Sequence, residues 1–137
     1  MDTTGSHYIV EASGCNPDVI GDATKIRHIL TQAAKAGHME VKSSYFYRFM
    51  PMGVSGVVIV AESHISIHTW PENRYAAIDV YVCGSESNPE KVIDYILDAF
   101  GSTHAHVSEV QRGIRDEEIY THVILTWEED LKPSSKI

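Results

Sequence analysis

The chain has few basic residues and little cysteine, and these shortages limit the protein classes to which it can belong. Lys and Arg number 11 against 19 Asp and Glu, which gives a formal net charge of -8. The basic residues are scattered and form no stripe that neutralises phosphates, so we expect no nucleic-acid partner. Two cysteines, Cys15 and Cys83, are too few for a disulfide framework and too far apart for a CxxC motif. We expect both to be free thiols.

Long apolar runs and targeting segments are also missing. No stretch approaches the roughly 20 apolar residues that cross a membrane, and the N-terminal MDTTGSHYIV lacks the basic start and apolar core of a signal peptide. We therefore expect a cytoplasmic protein that contacts no membrane. The 43% hydrophobic and 22% charged content is ordinary for a globular chain, and 137 residues suffice for a single domain, 1–137, with a two-layer core.

The patterns that are present predict alternating strands and helices. Asn16-Pro17-Asp18 starts one amphipathic helix, in which apolar residues recur at three and four from Val19 to Ala34 and which ends at Gly37. A second helix follows Asn88-Pro89-Glu90 and ends at Gly101. Strands are predicted over His7–Ala12, Met39–Phe49, Val54–Ala61, Ser63–Thr69, Tyr75–Cys83 and Thr103–Val110.

This order predicts an α+β fold, a two-layer sandwich in which helices cover one face of an antiparallel β-sheet. Aromatic and aliphatic residues fall on both faces of several strands, so we expect a second copy to cover the other face in a homodimer. After Gly113 one more strand-like run, Ile119–Trp127, precedes an acidic end that we expect to fray.

The stretch Val57–Glu72, VVIVAESHISIHTWPE, concentrates the reactive side chains. A metal site built on His64 and His68 is one hypothesis, since eight histidines are many for this length. The HxxxH spacing, however, puts both ligands on one face of a helix, whereas on a strand they lie roughly 13 Å apart. We expect no metal site.

A serine hydrolase is a second hypothesis, resting on Ser55 in GVSG. The nucleophile elbow needs GxSxG before a helix, whereas Ser55 precedes an apolar strand, so a tight turn or bulge is the plainer interpretation. Plain interpretations also exist for Cys83 as a small buried residue, for His68 as a hydrogen-bonded structural histidine and for Glu72 as a solvated turn carboxylate.

A third hypothesis is self-cleavage at Glu62-Ser63, in which the serine attacks its own preceding carbonyl and β-elimination then leaves a pyruvoyl group. The reaction needs a held serine, a proton acceptor and donors for the oxyanion. Ser63, His68 and Ser55 are residues of the right kinds.

The motifs that carry a resemblance run without obvious gaps over about four fifths of the chain. They are HYIVE from His7, RF at Arg48, GVSG from Gly53, ESH from Glu62, IHTWPE from Ile67, YAAID from Tyr75, CG at Cys83 and QRG from Gln111. In these segments the sequence resembles the short prokaryotic form of the pyruvoyl-dependent S-adenosylmethionine decarboxylases, which supply spermidine biosynthesis.

The resemblance implies a zymogen that cleaves itself into a β chain, 1–62, and an α chain, 63–137, with Ser63 becoming the covalent pyruvoyl cofactor that binds the substrate amine as a Schiff base. It implies that His68 and Ser55 promote processing and that Cys83 donates a proton to the decarboxylated carbon. For substrate binding it implies Phe49 against the adenine, Glu72 on the ribose hydroxyls and Glu11 as an acidic residue near the site. Members are dimers with active sites near the interface.

Departures from the family pattern keep further functions open. Met52 replaces an expected Tyr or His, Val82 replaces an expected Thr, and the tail after Gly113 has no firm match. These changes lie near the pocket, and relatives that decarboxylate arginine or ornithine provide the alternative activity. A regulatory binding subunit in which Ser63 stays internal is a further hypothesis, beside the unrelated hydrolase.

Overall fold

An antiparallel sheet of seven strands runs through the part of the chain that the computed structural model describes, residues 2–84 and 86–131. The elements are β1 (Gly5–Ser13), α1 (Pro17–Ile20), α2 (Ala23–Ala36), β2 (Val41–Arg48), β3 (Val54–Val60), β4 (Ser63–Trp70), a 3-10 helix (Pro71–Asn73), β5 (Tyr75–Cys83), α3 (Pro89–Phe100), β6 (His104–Asp116) and β7 (Ile119–Asp130). The strand order is β2-β3-β4-β5-β1-β6-β7, and all six neighbouring pairs are antiparallel. The predicted α+β two-layer sandwich is confirmed.

The single helix predicted between Asn16-Pro17-Asp18 and Gly37 is wrong, because two helices occupy this stretch. Asp22 has an extended backbone, and its carboxylate accepts hydrogen bonds from the backbone N–H groups of Thr24 at 2.9 Å and Lys25 at 3.1 Å. This is an N-cap, so α1 stops after one turn and α2 begins. The apolar spacing does not reveal this break between the two helices, because Ile20 before it and Ile26 after it are buried in the same core.

The two faces of the sheet differ because side chains alternate along each strand. In β4, Ser63, Ile65, Ile67 and Thr69 are buried on the helix side, where the core lies. The intervening residues point to the opposite side, which we call the open face because no helix among the described residues covers it. Across the sheet the open face carries His7, Ile9, Glu11, Tyr45, Tyr47, Ser55, Val57, Ile59, His64, Ser66, His68, Trp70, Tyr75, Asp79 and Tyr81.

The C-terminal hairpin is longer than predicted. β6 was expected to end at Val110 but continues to Asp116 through Gly113, whose φ of 70° accompanies a register shift between Gln111 and Ile114. The predicted last strand is confirmed as β7, an exposed edge strand. The expected fraying concerns residues 132–137, which lie outside the described residues.

None of the helices within residues 2–84 and 86–131 has both the length and the apolar character needed to cross a bilayer.

Candidate functional site

The β3–β4 hairpin holds the Glu62-Ser63 peptide in an unusual backbone conformation. Val60 pairs with Ser63, so Ala61 and Glu62 alone form the turn, and Glu62 has a φ of 59°. Turn positions with positive φ usually hold Gly, Asn or Asp, since a larger side chain there crowds the backbone at a cost of roughly 1–2 kcal/mol. The peptide bond that precedes Ser63 therefore begins at a strained residue.

Ser63 lies against the end of β5, where Cys83 is found. The serine is 7% exposed, and its Oγ accepts a hydrogen bond from the backbone N–H of Cys83 at 3.2 Å. Cys83 is a half-buried free thiol that borders an open groove of about 430 Å³, whose wall also includes Val60 and Ala61. We call Glu62, Ser63 and Cys83 the cleavage cluster.

His68 and Ser55 face one another across β3 and β4. They are register partners, and Ser55 Oγ lies 2.7 Å from His68 Nδ1. The hydrogen bond fixes the imidazole on the open face and engages one of its two nitrogens. Ser55 is thus part of a continuous strand, which corrects the turn or bulge expected of GVSG.

A groove of about 460 Å³ adjoins this pair. Phe49 is 47% exposed there, and its ring meets that of Tyr47 edge-on with 4.8 Å between centroids. Glu72 lies on the 3-10 helix after Pro71, so its carboxylate enters the same groove as the aromatic ring. The wall consists of Phe49, Met52, Gly53, Ser55, His68, Thr69, Trp70 and Glu72, and we call its side-chain members the groove cluster.

Glu11 lies beside the groove cluster on the open face. It pairs with Ala77, which in turn pairs with His68, so two strand spacings, roughly 10 Å, separate Glu11 from His68. The hydroxyl of Tyr75 donates a 2.6 Å hydrogen bond to Glu11, and burial followed by this bond raises the pKa of Tyr75 to about 12.

Trp70 and Tyr75 were not predicted as site residues. Their rings stack at 5.2 Å between centroids with an interplanar angle of 21°, which connects the groove to Glu11. Trp70 belongs to the IHTWPE motif and Tyr75 opens an alternating strand, so both were visible in the sequence. Their mutual contact was not, because it depends on the register of β4 with β5.

The cleavage and groove clusters are far apart within one chain. Ser63 and His68 are five residues apart on β4, a separation of roughly 16 Å along a strand. They also lie on opposite sides of the sheet, Ser63 buried toward the helices and His68 on the open face. Every predicted site residue therefore lies in one cluster or beside it, but a single chain does not bring His68 to Ser63.

Between the clusters the open face carries a histidine-rich network. His7 Nε2 lies 3.0 Å from Asp79 Oδ1, and Ser66 donates to the other oxygen of Asp79 at 3.3 Å. Partial burial, followed by the nearby His7, lowers the pKa of His64. Within residues 2–84 and 86–131, no three His, Cys, Asp or Glu side chains are arranged to hold a metal ion.

The fold and these clusters define a class of protein, a two-layer α+β domain that carries a buried serine after a strained turn, a thiol, and a serine-histidine pair on the open face. A family model described as S-adenosylmethionine decarboxylase matches residues 6–113. The chain is 68% identical over 132 residues to the S-adenosylmethionine decarboxylase proenzyme of Pyrococcus abyssi, covering 96% of this chain and 95% of that one. It is 44% identical over 115 residues to the proenzyme of Hydrogenobaculum sp., covering 84% and 86%.

A crystal structure of the adenosylmethionine decarboxylase from Aquifex aeolicus is similar in fold, with a TM-score of 0.78 and 38% identity over 87% of this chain and 98% of that one. The chain therefore belongs to the S-adenosylmethionine decarboxylase family. The predicted enzyme class, a carboxy-lyase acting in polyamine biosynthesis, is confirmed at the level of the family.

Proposed function

We propose that this chain is a proenzyme that cleaves itself between Glu62 and Ser63 and then decarboxylates S-adenosylmethionine. The observation that carries the proposal is the left-handed backbone of Glu62 directly before a buried serine. Strain in the scissile peptide raises the energy of the reactant and lowers the barrier to rearrangement. The products are the segments 1–62 and 63–137.

The chemistry of cleavage needs only the chain and water. Ser63 Oγ bonds to the carbonyl carbon of Glu62 while the amide C–N bond breaks, which gives an ester and a free amine. Removal of the Cα proton of Ser63 then expels the ester oxygen, so that segment 1–62 leaves with a carboxylate terminus. Water replaces the nitrogen on the remaining carbon, ammonia departs and residue 63 becomes a pyruvoyl group. A proton acceptor must therefore reach the Cα of Ser63.

His68 is the proposed acceptor, and it acts across a dimer interface. Because roughly 16 Å separate His68 from Ser63 along one strand, we infer that the base comes from a second chain. In the proposed dimer two open faces pair about a two-fold axis, which sets the end of the sheet that carries the cleavage cluster of one chain against the groove cluster of the other. Each of the two sites then has its nucleophile and Cys83 from one chain and its base from His68 of the partner subunit.

The open face has the composition of a surface that a second copy covers. Several of its apolar side chains are exposed, notably Tyr45 at 66%, Tyr47 at 52%, Ile59 at 48% and Ile9 at 37%. They share this face with the His7–Asp79 pair, so the face combines apolar contact area with fixed polar groups, as dimer interfaces do. A homodimer of processed units follows from this surface and from the split site.

Substrate binding uses the groove cluster and the thiol. Phe49 offers an aromatic face to the adenine, Glu72 accepts hydrogen bonds from the ribose hydroxyls, and the net charge of -8 favours a sulfonium cation. The pyruvoyl carbonyl supplies an electron acceptor when CO2 leaves. Cys83, next to residue 63, protonates the resulting carbon. Arginine and ornithine have neither an adenine ring to stack on Phe49 nor ribose hydroxyls to bind Glu72. S-adenosylmethionine has both and is therefore the proposed substrate.

Intact-mass analysis under denaturing conditions tests the proposal. The protein is incubated with S-adenosylmethionine, arginine and ornithine together, and cyanoborohydride traps any imine. We expect two fragments, of which only 63–137 carries an adduct, and the adduct mass identifies the nucleoside substrate. Ser63→Ala should remain one uncut chain of 15.3 kDa, whereas the neighbouring open-face change Ser66→Ala should be cut normally. An uncut wild-type chain contradicts the processing step, and an arginine or ornithine adduct contradicts the substrate.

A further inference from the structure

Tyr81 occupies a position that gives it access to Cys83. The two residues are neighbours on the open-face side of β5, and Gly5 of β1 is the register partner of Cys83. A methyl group built at Gly5 would lie 2.5 Å from Tyr81 Oη and 2.8 Å from its Cζ. The phenol therefore extends diagonally across the sheet and places its hydroxyl over the backbone of Gly5, the register partner of Cys83.

Three side chains hold the ring of Tyr81 in this pose. His64 stacks on it at 5.8 Å and 30°, and His7 meets it edge-on at 6.1 Å and 90°. Arg112, whose register partner is also Gly5, places its guanidinium carbon 5.4 Å from the ring centroid. Since Gly5 has no side chain, both Tyr81 and Arg112 extend over it. The hydroxyl is thus fixed before any substrate binds.

We propose that Tyr81 is a positioning residue whose hydroxyl hydrogen-bonds the sulfur of Cys83 and directs the thiol proton to the substrate carbon. The inference rests on the proposed function of Cys83. A donor aimed at sulfur orients the S–H bond away from itself and stabilises the thiolate that remains after proton transfer. In agreement, the pKa of Tyr81 lies above its usual value, and hydrogen bonding with Cys83 is the largest cause.

The direction of this proton decides the fate of the enzyme. When the proton is placed on the substrate carbon, water then displaces the decarboxylated amine from residue 63 and restores its carbonyl group. A proton placed on the cofactor carbon leaves the substrate's amino group there, so that residue 63 becomes alanine after water releases an aldehyde. Tyr81 favours the first course because it restricts the direction in which the thiol points.

The first test measures the thiol itself and needs no turnover. Rates of Cys83 alkylation by iodoacetamide are followed against pH by peptide mapping, which separates Cys83 from the fully buried Cys15. Tyr81→Phe should displace the Cys83 rate profile to about tenfold slower alkylation at neutral pH, because the thiolate loses a hydrogen bond. Tyr95→Phe, a change on the exposed side of α3, should leave it unchanged. An unshifted profile in Tyr81→Phe overturns the proposal.

The second test counts inactivation events. Tyr81→Phe should cleave normally but accumulate N-terminal alanine at residue 63 roughly tenfold more often per turnover than wild type, with KM little changed. Gly5→Ala keeps the hydroxyl but pushes it off Cys83, so it should reproduce both effects. Normal alanine formation in both variants contradicts the positioning role. If instead wild type decarboxylates nothing, the proposed function fails, while the alkylation profiles still decide whether Tyr81 contacts Cys83.

Discussion

At the scale of single residues, the proposed self-cleavage depends on backbone conformation as much as on the type of side chain. Glu62 is the clearest case, because its φ of 59° is independent of its carboxylate. Ser63 is held by one hydrogen bond from Cys83 and His68 by one from Ser55. The chemistry of each residue is ordinary, and in the proposed reaction its placement is what makes it reactive.

Relief of the strain at Glu62 should slow self-cleavage. Glycine adopts positive φ freely, so Glu62→Gly removes about 1 kcal/mol of strain from the precursor and should slow cleavage about fivefold. Glu62→Gln keeps both side-chain size and strain and should cleave at the wild-type rate. Both rates are read from the decay of the uncut chain on denaturing gels. Equal slowing in the two variants would mean that the carboxylate, and not the backbone, promotes cleavage.

The site residues could be named from the sequence, but their grouping could not. Ser63, His68 and Cys83 were found through motifs that resemble a family. Residue type does not predict the left-handed backbone of Glu62 or the position of the Tyr81 ring over Gly5, because both depend on strand register. The distance between Ser63 and His68 follows from β4 being a strand. Because this distance is too long for direct contact, we propose that a second chain supplies His68.

Secondary-structure elements could be predicted where a single sequence pattern, such as strict alternation, was not interrupted by a residue with a second role. The alternation of YAAIDVYVC gave β5 its correct bounds, Tyr75–Cys83. The break between α1 and α2 was missed because Asp22 caps a helix within an unbroken apolar repeat. The end of β6 was missed because Gly113 resembles a turn residue, whereas the strand passes through it with a register shift.

The cap at Asp22 should contribute measurably to stability. In the uncut Ser63→Ala background, Asp22→Ala removes the acceptor for two backbone N–H groups and should lower the free energy of unfolding by about 1 kcal/mol. Asp22→Asn retains a capping oxygen and should lose much less. Urea denaturation measures both. Equal losses in the two variants would show that the charge, and not the cap, provides the stabilisation.

At the scale of the whole molecule, the helices bury one face of the sheet, and we propose that a second copy covers the other. In the proposed split site, the separation of the cleavage and groove clusters within one chain makes this second copy part of the chemistry. Dimerisation is therefore expected to control processing as well as turnover.

A charge on the open face should prevent dimerisation, and with it both self-cleavage and turnover. Ile9 lies in the middle strand region of that face and is 37% exposed, so Ile9→Lys places an ammonium group in the proposed interface. We expect a monomer by analytical ultracentrifugation that stays uncut. Tyr95→Lys, at a residue that is 39% exposed on α3, should remain dimeric and be processed. A monomeric Ile9→Lys protein that cleaves normally would place the whole site within one chain.

The most direct test of the split site is complementation between two inactive variants. Ser63→Ala and His68→Ala chains are co-expressed, each with its own affinity tag, and mixed dimers are isolated and assayed for cleavage and for CO2 release from S-adenosylmethionine. If each site takes Ser63 from one chain and His68 from the other, a mixed dimer has one intact site and one doubly altered site. We predict that the His68→Ala chain, which keeps Ser63, is cut in mixed dimers and that about half of the wild-type activity returns. Mixed dimers that form but stay uncut and inactive would contradict the account, because each chain would then need its own Ser63 and His68.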